Sequence, residues 1–183
     1  MPEGIFPFRP RTHLRIIGVD PGMVATGFGV IELAPGGATR YCTSGVLRPR
    51  PQESFPQRIQ FLFRGLRREI EKNEPHLMAV ERPFVAKNVK SAMILGQARG
   101  AALLAAAETG LPVHEYSPME VKQAVVGYGR AAKSQIQAMI YALLRTPGDL
   151  SKDAADALAI ALCLAHCLPW QGACGGIEIP PGF

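Results

Sequence analysis

Residues 14–33 read LRIIGVDPGMVATGFGVIEL, and the fold turns on how they are divided. LRIIGVD (14–20) is β-branched and apolar, too short for a helix, and closes on a lone carboxylate, Asp20. PGMVATG supplies a turn and GFGVIEL a second strand; APGG is a second turn and TRYCTSGVLR a third strand. Three strands joined by short Pro/Gly turns form an antiparallel meander.

Beyond the meander the pattern changes. ESFPQRIQFLFRGLRREIEKN places Ile59, Leu62, Phe63, Leu66 and Ile70 at helical spacing, with Arg58, Arg64, Arg67 and Arg68 on a basic outer face. HLMAVE is a fourth strand reached through that helix, so it lies parallel to its neighbour. A long Ala/Gly-rich helix (VKSAMILGQARGAALLAAAETG), a fifth strand (LPVHEYS), two shorter helices (PMEVKQAVVG and KSQIQAMIYALL) and a final helix follow. The expectation is an α/β fold: a five-stranded mixed sheet, with three antiparallel strands and then parallel ones, flanked by helices. Residues 14–168 form the domain, residues 1–13 an N-terminal extension, and residues 169–183 a Pro/Gly-rich tail expected to be loosely ordered.

The bulk properties narrow the function classes. At 183 residues, 48% apolar and 19% charged, the chain fits one folded domain and not a disordered segment. A net charge of +5 is compatible with a polyanionic partner without requiring one. Cys42, Cys163, Cys167 and Cys174 form no C-x-x-C pair and lack the further ligands of a zinc site; they read as reduced thiols. No secretory signal and no membrane-length apolar run appears, which points to the cytoplasm.

The chemistry lies in four carboxylates. IIGVD ends on Asp20 and LMAVE on Glu81, each an apolar run finished by one acid. On adjacent parallel strands, about 4.8 Å apart, the two would emerge side by side at the end where α/β sheets carry their sites. The final helix begins SKDAADALAIAL, and Asp153 and Asp156, three apart, share one face. Acids in a first turn also favour the helix dipole, and Ser151 or Asp149 would cap it. Past Asp156, however, the helix is apolar all round, so its start docks onto the sheet. Four converging carboxylates call for hard divalent cations such as Mg²⁺ or Mn²⁺. Two such ions roughly 3.5–4 Å apart activate a water and stabilise the leaving oxygen of a phosphodiester.

Three strings, IGVDPGMVATGFGVI (17–31), the run from AVERPFVAKNVK through KSQIQAMI (79–140), and KDAADALAIALCLAH (152–166), resemble the RuvC family of Holliday-junction resolvases, which has the RNase H-like fold. The resemblance covers nearly all of residues 14–168. It implies a structure-selective endonuclease in recombination and repair, in which Asp20, Glu81, Asp153 and Asp156 bind two catalytic Mg²⁺ or Mn²⁺ ions. It further implies that Lys122 and Lys133 act at the scissile phosphate, and that Phe84 wedges into the junction centre. Arg82, Lys87, Lys90 and Arg130 are then expected DNA contacts. The small residues Ser91, Ala92, Gly96 and Gly100 would lie at a two-fold homodimer interface, suited to a pseudo-two-fold junction. A branch-migration complex of the RuvA and RuvB type is the further partner the family implies. DPGMVATGFGV also resembles the phosphate-binding hairpin of actin-like ATPases and sugar kinases. That fold encloses its nucleotide between two such domains, and this chain has room for one.

Overall fold

A computed structural model describes residues 13–82, 88–129, 131–146 and 148–168. Five strands, β1 (Leu14–Asp20), β2 (Thr26–Leu33), β3 (Thr39–Leu47), β4 (Leu77–Glu81) and β5 (Val113–Tyr116), form one sheet of order β3-β2-β1-β4-β5. The first three pair antiparallel, whereas β4 runs parallel to β1 and β5 parallel to β4. This is the expected five-stranded mixed sheet. Five helices accompany it: α1 (Phe55–Asn73), α2 (Val89–Glu108), α3 (Pro118–Val126), α4 (Lys133–Leu144) and α5 (Lys152–Cys167).

Strand alternation divides the core between the two faces of the sheet. Ile17, Val19, Phe28, Val30 and Met78 point toward α1 and α2, meeting Leu66, Ile70, Ala102, Ala105 and Ala106. Leu14, Ile16, Ile31, Leu33, Leu77 and Ala79 point the other way, into α5 and, behind it, Val121 and Val125 of α3 and Ile136 and Ile140 of α4. Helix α5 is thus sandwiched between the sheet and a second helical layer. That explains its all-round apolar sequence: eleven of its residues, Ala154, Ala155 and Ala157 through Ala165, are buried.

The sheet admits α5 closely because three positions beneath the helix carry no side chain. Gly18 of β1 pairs with Gly29 of β2, and Asp20 pairs with Gly27. A Cβ on Gly18 would lie 2.0 Å from the Ala157 carbonyl oxygen, and one on Gly27 2.0 Å from that of Asp153. On Gly29 it would meet the Leu158 side chain at 2.6 Å. The three glycines make a trough in which the helix backbone rests directly on the strands.

Local signals start and stop the helices. The Ser151 hydroxyl accepts from the Ala154 N–H at 3.3 Å, so Ser151 is the cap of α5. At α3, Glu120 accepts from the Ser117 N–H at 2.6 Å while Ser117 accepts from the Glu120 N–H at 3.3 Å, with Pro118 in the first turn. Gly127, at φ 84°, ends α3 in the left-handed conformation that turns the chain back toward α4.

Candidate active site

The parallel register sets two acids level. Val19 of β1 pairs with Val80 of β4, so the next residues, Asp20 and Glu81, leave the sheet side by side, on the face covered by α5. The α5 backbone, seated in the glycine trough, brings its first turns to the same sheet end. A cleft of about 360 Å³ opens there, lined by Asp20, Glu81, Lys122, Lys133 and Asp156, with Pro118, Val121, Ile136, Ala159 and Ile160 as its apolar wall. Strand ends, α3, α4 and α5 all contribute to this one cleft.

The electrostatics reflect burial and then crowded like charge. Burial, and then the neighbouring Glu81, Asp156 and Asp153, push the Asp20 carboxyl up to about 7, against the opposing pull of Lys133. Burial and Asp156 also hold Glu81 above the usual carboxylate range, with Lys133 and Lys122 pulling it back. Lys133 donates from Nζ to Asp156 Oδ2 at 3.2 Å, and this acid keeps the ammonium protonated beyond its ordinary range.

Asp153 is placed differently. It sits at the rim, close enough to raise the Asp20 carboxyl, but its Oδ2 accepts from Arg48 at 2.9 Å, and it does not line the cleft. No three acid, histidine or cysteine side chains among the described residues already sit at ligating geometry, because Asp156 is turned to Lys133 and Asp153 to Arg48. The donor set nevertheless fits a hard divalent cation. It consists of carboxylate oxygens, and the Asp20 and Glu81 carboxyls are raised by burial and then by neighbouring carboxylates despite the pull of the lysines.

Of the other expected residues, Arg82 is exposed and donates to the Glu115 carbonyl at 3.3 Å, and Lys90 is exposed in the first turn of α2. Phe84, Lys87 and Arg130 lie outside the described residues, as do the tail and most of the N-terminal extension. On α1, Arg58 donates to the Met23 carbonyl at 2.7 Å and Arg67 pairs with Glu71 and Glu108, whereas Arg64, Arg68 and Lys72 face solvent without an ion-pair partner among the described residues. Ala102, Ala105 and Ala106 of α2 pack toward the sheet and Ala98 and Ala101 toward Leu62 of α1 and Met23, whereas Gly96 and Gly100 meet nothing among the described residues and lie beside exposed Val89, Met93 and Leu104. No helix among the described residues is long and apolar enough to cross a membrane.

Sequence reasoning did not single out Arg48. Its signal was the rule that identified Asp20 and Glu81: TRYCTSGVLR ends on it, and β3 is parallel to β1, so its end lies at the same edge of the sheet.

Comparison with known proteins agrees with this arrangement. A family model described as "Crossover junction endodeoxyribonuclease RuvC" matches residues 16–164. A protein of that name from Citrifermentans bemidjiense is 50% identical over 151 residues, 82% of this chain and 92% of its own length. One from Dechloromonas aromatica is 51% identical over 155 residues, 85% of this chain and 86% of its own. Among solved structures, Thermus thermophilus RuvC in complex with a Holliday junction substrate superposes with a TM-score of 0.79 at 34% identity, covering 84% of this chain and 93% of that one. The chain belongs to the RuvC family of crossover junction endodeoxyribonucleases.

Proposed function

We propose that this chain resolves four-way DNA junctions in recombination and repair. It hydrolyses one phosphodiester in each of two symmetry-related strands, leaving 5′-phosphate and 3′-hydroxyl ends. One observation carries the reading: two strand-end acids, an acid of α5 and two lysines line a single open cleft at the carboxyl edge of the sheet. Family membership gives that cleft its substrate, since the T. thermophilus relative was solved on a Holliday junction.

Asp20, Glu81 and Asp156, with Asp153 from the rim, would hold two divalent cations, Mg²⁺ or Mn²⁺. The cations supply activation of a water and stabilisation of the leaving oxygen. The protein's own groups do the rest. Asp20, central to the acids, is raised by burial and its neighbours to about 7, so a bound cation would favour its ionised form. Lys133, whose Nζ donates to Asp156, would face the scissile phosphate from the cleft wall and offset its charge. Lys122 lines the same cleft and adds a second positive charge. The apolar wall of Val121, Ile136 and Ile160 limits the water around these charges and so strengthens them.

Arg82 and Lys90 flank the segment that carries Phe84 and Lys87. With Arg130 they form the DNA-gripping set, in which cations meet phosphates and Phe84 stacks on bases unpaired at the junction centre. The homodimer forms along the outward stripe of α2, where Gly96 and Gly100 let a second helix approach closely and Val89, Met93 and Leu104 supply apolar contact. Residues 14–168 act as the nuclease domain on chromosomal DNA in the cytoplasm, alongside a branch-migration complex of the RuvA and RuvB type.

A synthetic four-way junction, end-labelled on each strand in turn, tests the reading. Paired nicks at symmetric positions in Mg²⁺ and none in EDTA are expected. A single nick, or cleavage indifferent to chelation, would overturn it.

A further inference from the structure

The Arg48–Asp153 pair joins residues 105 positions apart across the rim of the cleft, and both backbones are fixed. Leu47 packs against Gly65 of α1 and Pro49 is buried, so the chain cannot swing at Arg48. The Asp153 backbone rests on Gly27. Only the two side chains are free to move, and both are open: 57% exposed for Arg48 and 34% for Asp153. An ion pair this solvated is weak, and a doubly charged cation beside three further carboxylates competes with it effectively. Among the described residues Asp153 is the one ion-pair partner of Arg48. Its guanidinium would then stand unpaired at the edge where Asp20 and Glu81 emerge, in the bidentate form that suits a phosphate.

We infer that Arg48 is a positioning residue that exchanges partners: it holds Asp153 while no cation is bound, and grips a backbone phosphate of the cleaved strand once a divalent cation takes that carboxylate. Cation loading and DNA grip are thereby coupled at one side chain. The inference rests on the nuclease reading of the cleft.

Junction affinity measured against salt concentration tests it, for the wild type, Arg48→Gln and Arg48→Lys, in Ca²⁺ and in EDTA. Loss of one phosphate contact lowers the log–log salt slope by about 0.9 per subunit. Arg48→Gln should show that drop in Ca²⁺ and none in EDTA, where Asp153 occupies the arginine of the wild type. Arg48→Lys should keep most of the slope in Ca²⁺. A general folding defect would weaken binding in both media and would not separate them. An unchanged slope in Ca²⁺, or an equal drop in both media, overturns the exchange. Wild-type nicking in Mg²⁺, measured on the same preparation, separates the two failures: without paired nicks the nuclease reading falls, and with them only the role of Arg48 does.

Discussion

Replacing Gly27 by alanine puts a methyl group where the α5 backbone lies. The added carbon would stand 2.0 Å from the Asp153 carbonyl oxygen, whereas a close carbon–oxygen contact is about 3.3 Å. The strand and the first turn of α5 must therefore separate by roughly 1.3 Å. The obstacle is backbone and not a flexible side chain, so the cost sits near the top of the overpacking range, about 3 kcal/mol. At about 2–4 °C per kcal/mol for a chain of this length, the melting temperature should fall by about 6–12 °C. The same displacement moves Asp153 and Asp156 away from Asp20 and Glu81. A misplacement of about 1 Å costs roughly 10²-fold in rate, so junction cleavage should fall by about that factor while the protein remains folded. Circular dichroism melts and single-turnover cleavage in Mg²⁺ measure the two effects. Wild-type melting and wild-type cleavage in Gly27→Ala would refute the claim that the glycine trough positions the site.

The raised Asp20 carboxyl makes cation-free stability depend on pH. The folded state keeps that proton up to about pH 7 while the unfolded chain loses it near 4, so stability falls as pH rises between them, and Glu81 adds to the fall. Between pH 5 and pH 8 the Asp20 carboxyl alone accounts for a loss of about 2.7 kcal/mol, at about 1.4 kcal/mol for each pH step from 5 to 7. Melting in EDTA should drop by on the order of 10 °C from pH 5 to pH 8, and saturating Mg²⁺ should remove most of the drop; a flat or rising profile in EDTA would contradict it. Lys133→Gln should retain junction binding and lose about 10²–10³-fold in cleavage rate, the scale of one lost charge-stabilising donor; a near-normal single-turnover rate would remove Lys133 from the chemistry. A Cβ added at Gly100 meets nothing among the described residues, so in Gly100→Leu monomer folding should survive while analytical ultracentrifugation shows the dimer weakened. An unaltered dimer would place the interface elsewhere.

The strand ends were legible because an apolar run closed by one acid is a local signal, and the parallel placement of β4 followed from the helix before it. Asp156 was legible through its apolar continuation, which only a helix buried on both sides requires. The difference between Asp153 and Asp156 was not: spacing of three puts both on one face, and their partners come from β3 and α4. Neither partner is near in sequence, so strand order and helix layering decide the outcome. The trough was hidden for the same reason. Gly18, Gly27 and Gly29 are scattered along two strands until the antiparallel register lines them up. In α2 the small residues were visible, but the outward direction of the glycines followed only from the alanines packing on the sheet and α1.

In the proposed mechanism Asp20 would hold the catalytic cations between the strand ends and α5. That role is tested most directly by comparing Asp20→Asn with the wild type on one labelled four-way junction, in Mg²⁺ and in Mn²⁺. Junction binding should stay close to that of the wild type, with cleavage reduced by several orders of magnitude in both ions. Cleavage by Asp20→Asn at the wild-type rate would contradict that role.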